Sequence, residues 1–171
     1  AFYYGLSQDI RDERTRFESY IDYLKKIRAS YQADILNRLD SVSNRDQVLG
    51  DFIEESELVF EDGNAKRKEL LLLVDDLEVS LRSIEENKNK YEADFFIYMD
   101  AGEGAAALEL LDAFVEISKS QVELKARQAA LSKLALDYEA VLIDLKLRNE
   151  ALTKNYDAIV EGVRVVDVEG S

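Results

Sequence analysis

The stretch 114–163, FVEISKSQVELKARQAALSKLALDYEAVLIDLKLRNEALTKNYDAIVEGV, decides the fold. Within it Phe114, Ile117, Gln121, Leu124, Gln128, Leu131, Ala135, Tyr138, Leu142, Leu145, Asn149, Leu152, Tyr156, Ile159 and Val163 recur in unbroken steps of three and four. Strands alternate every two residues, so this spacing belongs to a helix. A stripe kept in phase for about seven heptads is the mark of a coiled-coil seam. Gly162 is placed to end the helix, and 163–168 (Val-Arg-Val-Val-Asp-Val) is β-prone.

Two further seams lie upstream. One runs Leu70, Val74, Leu77, Leu81, Ile84, Lys88, Tyr91, Phe95, Tyr98. The other runs Ile10, Phe17, Ile21, Leu24, Ile27, Tyr31, then slips phase through Ile35, Leu39 and Val42, as a stutter does. Acids stand four residues before bases throughout, as at Asp22/Lys26, Glu78/Arg82, Glu123/Arg127 and Asp144/Arg148. That orientation supports local helix by about 0.2–0.5 kcal/mol per pair.

Three places can break these helices. Residues 100–104 (Asp-Ala-Gly-Glu-Gly) separate two strong seams and predict a turn. Residues 61–64 (Glu-Asp-Gly-Asn) carry a turn signal, yet Leu49, Ile53, Ser56, Phe60, Gly63, Arg67 and Leu70 hold phase straight through the glycine, which also allows a continuous helix. Residues 41–44 (Ser-Val-Ser-Asn) are the third candidate, where Asn44 and Gln47 have near-capping-box spacing. The resulting map is helix at 7–40, 45–61, 65–99 and 105–161, with 163–171 as an extended tail or the start of a further domain.

The stretch 131–147 is apolar off its seam as well, at Leu134, Leu136, Val141, Ile143 and Leu147. Leu71, Leu72 and Leu73 likewise flank Leu70 and Val74. Helices apolar on several faces need cover on several faces. Folding at 100–104 brings 131–140 level with about 65–74, and folding at 61–64 brings 65–74 level with about 53–62. The fold class expected is therefore all-α: an elongated antiparallel bundle of three long helices, four if 41–44 also breaks, with Gln121, Gln128 and Asn149 fixing register.

Composition narrows function. The chain has 171 residues with no His, Cys, Pro or Trp. That removes disulfides, the usual zinc ligands and histidine-based nucleophilic catalysis, and no cofactor is expected. A net charge of −14 argues against nucleic acid as a direct partner. The charge is uneven, with 7 bases against 17 acids over 45–104 and seven carboxylates without a cation over 46–62. No apolar run approaches the ~18 residues of a membrane span, so membrane contact would need a segment outside this chain. Met99 is the single Met, so Ala1 reads as the start of an excised or processed piece. Phe2, Tyr3 and Tyr4 read as a small apolar cap or the end of a removed membrane segment. The lack of Cys leans toward an exported, cell-envelope setting.

Candidate chemistry is sparse. Asp75-Asp76 and Glu85-Glu86 are adjacent on helices and point about 100° apart, so they do not converge. Asp62, Asn64, Asp100 and Glu103 sit at predicted turns without the spacing of a calcium loop. Gly102-Glu103-Gly104 is a faint echo of an anion-binding turn, contradicted by its own carboxylate. The most informative surface is the 95–117 hairpin tip, where Phe96, Ile97, Met99, Leu108 and Leu111 are the candidate docking residues. These features describe a non-enzymatic scaffold or spacer that binds protein partners, self-association among them. The alternative is a ligand-sensing helical ectodomain, which requires a pocket between helices near the bundle centre.

Overall fold

The computed structural model describes residues 2–40 and 43–158, with side chains at 12–40 and 43–158. The described residues are 96% helical and contain no strand, so the protein is an all-α bundle of three long helices. These are α1 (Phe2–Asp40), α2 (Arg45–Asp100) and α3 (Gly104–Lys154). Phe2, Tyr3 and Tyr4 open α1, which begins earlier than 7. α3 runs unbroken to Lys154, residues 156–158 are helical again after a turn at Asn155, and 159–161 of the expected helix lie outside the described residues. Gly162 and the β-prone 163–168 lie outside them too.

The count of three is reached by a different route from the one the sequence suggested. The chain breaks between Asp40 and Arg45 and runs unbroken through 61–64. At the break, Arg45 Nε donates to the Leu39 carbonyl (3.1 Å), satisfying an acceptor that the end of α1 leaves open. Asn44 Nδ2 donates to Gln47 Oε1 (2.7 Å), and the Asn44 carbonyl accepts the first bond of α2 from Val48 N–H (3.2 Å). The expected levelling of 65–74 with 53–62 is therefore wrong, because both segments lie on one helix.

Gly63 carries no turn. A Cβ on it would stand 2.6 Å from Leu142 Cδ2 and 3.3 Å from Leu24 Cδ1. The glycine lets α2 approach side chains of both other helices more closely than any residue with a Cβ would. Its phase-keeping seam was the correct signal, and its flanking Asp and Asn misled.

The turn between α2 and α3 is where the sequence put it. Gly102 has φ +77°, the left-handed geometry that glycine adopts without strain. Glu103 N–H donates to the Tyr98 carbonyl (2.9 Å) and Gly102 N–H to that of Met99 (3.1 Å), the paired bonds of a Schellman cap. The glycines thus serve a helix end, and Glu103 begins α3 by accepting from Ala107 N–H (3.0 Å).

The chain divides into two compact units, one of Ala1–Phe17 with Glu69–Ala135, the other of Glu18–Lys68 with Leu136–Ser171. No described member of the 114–163 seam is exposed, and Leu124, Leu131 and Tyr138 are fully buried. Off the seam the outcome is split. Leu134 and Val141 are buried, while Leu136, Ile143 and Leu147 are exposed, as are Leu71 and Leu72. The rule that every apolar face is covered fails there, because three helices supply too few neighbours to surround each one.

In the first unit α1 contributes 2–17, about 24 Å of helix, against about 48 Å from each of 69–100 and 104–135. Burial follows that inequality. The buried residues of α2 here are Leu70, Leu77, Leu81 and Ile84, with none from 85 to the turn. The turn end is thus a two-helix hairpin, whose one fully buried position past Ile117 is Ala107. A polar layer sits in it. Gln121, only 5% exposed, accepts from Lys88 Nζ (3.2 Å) and donates to Glu85. Gln128 Nε2 donates to Glu78 (2.8 Å) one layer further from the turn.

In the second unit all three helices meet. Tyr31 Oη donates to Asn149 Oδ1 (3.1 Å), and the Tyr31 ring meets Phe52 edge-on at 5.2 Å. Tyr20 stacks parallel on buried Tyr138 at 6.3 Å. Arg67 pairs with Glu139 (3.4 Å), which confirms the expected levelling of α2 with α3.

Candidate partner-docking surface

At the turn end of the first unit, each helix has one partner and so one covered stripe. Side chains off that stripe face solvent whatever their polarity. Phe96 (57% exposed), Ile97, Met99, Leu108 and Leu111 are all exposed there. All five lie within about 14 Å, along the helix axes, of the turn at Gly102. The seam below them is thin: Phe95 is half-buried and meets Phe96 edge-on at 5.5 Å. The candidate residues are therefore not end-packed by a third helix.

Val115, within the 95–117 tip, and Val122, beyond it, extend the exposed apolar surface. They continue from Leu108 at seven-residue intervals on α3, and Val122 is 68% exposed. With Leu111 they make an outward stripe spaced as a second, uncovered seam. A shallow apolar hollow of about 440 Å³, lined by Phe114, Val115, Ser118, Lys119 and Val122, lies on it. The repeat was visible in the sequence, but only the structure shows that nothing in the unit covers it.

Charge sets this surface apart. Residues 91–118 hold seven carboxylates (Glu92, Asp94, Asp100, Glu103, Glu109, Asp112, Glu116) and no Lys or Arg. Glu116 pairs with Lys119 (3.5 Å) just beyond, and both side chains are more than two-thirds exposed. An ion pair so exposed is worth little.

The other acidic candidates form no centre. Asp62 and Asn64 lie inside α2 and not at a turn, and Asp75, Asp76 and Glu86 are exposed on the same helix. Glu85 is engaged with Gln121. Among the described residues, no group of three or more His, Cys, Asp or Glu is placed to hold a metal ion. Nor is any helix among them long and apolar enough to cross a membrane.

In the second unit a hollow of about 190 Å³ lies between helices, with Tyr23, Tyr31, Phe52 and Val59 as walls and Leu145 on α3, and another of about 250 Å³ lies between α2 and α3 beside Phe60 and Asn149. Arg38 stands at the edge of the first, paired with Glu55 (2.6 Å) and set over the Phe52 ring at 5.0 Å. Burial pushes the Tyr31 phenol above its ordinary range, opposed by a hydrogen bond from Ser56 and by the Arg148 charge.

Comparison of the chain with family models, with curated proteins and with solved structures finds no match.

Proposed function

We propose that this protein is a non-enzymatic interaction module, a helical spacer that presents the turn end of its α2–α3 hairpin to a protein partner. One observation carries the reading: Phe96, Ile97, Met99, Leu108 and Leu111 are exposed together around a turn held by a full Schellman cap. Exposed apolar side chains clustered at one site mark interaction surfaces more often than chance placement does. A capped turn presents them at low cost in ordering entropy.

A photo-crosslinking residue placed at Ile97 or Leu108, with Glu57 as control, tests this. The expected result is a discrete adduct from both hairpin positions, reproduced with the purified partner and absent from the control. Adducts from Glu57 alone, or from no position, count against the reading.

The hollow beside Tyr31 favours the second reading, a ligand-sensing helical domain. Its volume of about 190 Å³ is under the ~300–1,000 Å³ usual for small-molecule sites, which places that reading second.

A further inference from the structure

Resting on that docking reading, we infer that the occupant of the hairpin surface is a basic amphipathic helix of another protein, laid along the outer stripe of α3. The stripe's geometry points to a helix. Leu108, Leu111, Val115 and Val122 fall at intervals of three, four and seven, a straight apolar line of about 21 Å. A loop or a flat surface has no need of that periodicity, whereas a helix laid in a helical groove reads i, i+3, i+7 anchors.

Charge selects which helix. Glu109, Glu116 and Glu123 follow the stripe residues one position later and form an acidic row along one side of it. Glu123 is engaged with Arg127 (2.7 Å) and Glu116 with Lys119 (3.5 Å), the second pair so exposed that it neutralises little, so Glu109 and Glu116 carry most of the effect. A second copy of this chain is a poor occupant. Antiparallel pairing along the stripe sets the acidic row against itself, and parallel pairing sets it against Leu111, Ser118 and Lys125, a row with a single cation at its far end. The seven carboxylates of 91–118 also repel an identical end. An anionic lipid surface meets the same repulsion. A helix with Lys or Arg flanking its apolar stripe meets both the apolar line and the acid row.

Two synthetic helical peptides test this. Both carry the same leucine stripe; one has Lys and the other Glu at the flanking positions. Binding to the full chain is read by fluorescence anisotropy at 50 and 300 mM salt. The Lys peptide is expected to bind at least tenfold more tightly at 50 mM, with the advantage shrinking at 300 mM. The exposed double substitution Val115→Asp/Val122→Asp is expected to abolish binding with the denaturation midpoint unchanged. The charge reversal Glu109→Lys/Glu116→Lys is expected to invert the preference for the two peptides.

Equal binding of the two peptides, or a preference that survives the charge reversal, overturns the inference. So does a dimer in sedimentation equilibrium that Val115→Asp/Val122→Asp dissociates, which would make a second copy the occupant. Crosslinked adducts at Ile97 and Leu108 without any peptide preference would remove the basic helix and leave the interaction module standing. Loss of both would remove both.

Discussion

Gly63 on α2 faces Leu142 on α3 so closely that an added Cβ would lie 2.6 Å from Leu142 Cδ2. Mid-helix glycine costs about 1 kcal/mol of helix propensity relative to alanine. It stands here because the packing of Leu142 and Leu24 leaves no room for a methyl group.

Substituting this position measures that balance. Gly63→Val is expected to destabilise by about 1–3 kcal/mol through overpacking, and Gly63→Ala by less, since the helix gains propensity. Adding Leu142→Ala should recover part of the Gly63→Val loss, a coupling of at least ~0.5 kcal/mol in a double-mutant cycle by urea denaturation. Additive losses would mean the two residues do not meet.

Leu134 and Leu136 are near neighbours in sequence with opposite fates, 7% and 65% exposed. Leu134→Ala should cost about 2–5 kcal/mol, and Leu136→Ala under ~0.5 kcal/mol. Equal costs in chemical denaturation would contradict the burial pattern and the three-helix packing behind it.

The polar layer at Gln121 should set register at some expense of stability. Gln121→Leu is expected to raise the denaturation midpoint, because Lys88 and Glu85 can both turn to water. Gln121→Ala, which leaves a void between the two helices, is expected to lower it by about 1 kcal/mol or more. A lowered midpoint for the leucine variant would show that the hydrogen bonds outweigh apolar packing.

Alkali should loosen the fold through two tyrosines. Burial raises the Tyr20 phenol, with further upward pushes from Asp62 and Tyr23, and burial likewise raises Tyr31. A group whose pKa is raised on folding stabilises fully below its unfolded value, near 10, and loses that contribution as pH climbs through the folded value. Stability should therefore be insensitive to these groups at pH 7–9 and fall above about pH 10. Ultraviolet titration should show a late-ionising fraction that Tyr31→Phe reduces. Tyrosines that all ionise together near 10 would refute the assignment.

The two helix breaks show where sequence reasoning held and where it failed. At 100–104 local chemistry alone settles the matter, because Gly102 must adopt φ +77° and the seams on either side demand a reversal. At 61–64 the same kind of local signal points the wrong way. Asp62, Gly63 and Asn64 favour a turn in isolation, and the packing of Leu24 and Leu142 around the glycine outweighs it. The docking residues divide likewise. Phe96, Ile97, Met99, Leu108, Leu111 and Val115 are legible as apolar residues of the tip, while Val122 lies beyond it and only its exposure adds it.

Period and charge are properties of the chain, and they determined a great deal. A 3-4 repeat can only be helical, and glycine at a seam boundary can only be a reversal or a close approach. The absence of His and Cys closes whole classes of chemistry before any folding. Exposure is a property of neighbours. Leu134 and Leu136 are chemically identical, and only the placement of the other helices buries one and leaves the other in water. The same holds at the hairpin end, where α1 supplies only residues 2–17 to the unit and leaves an apolar stripe facing solvent.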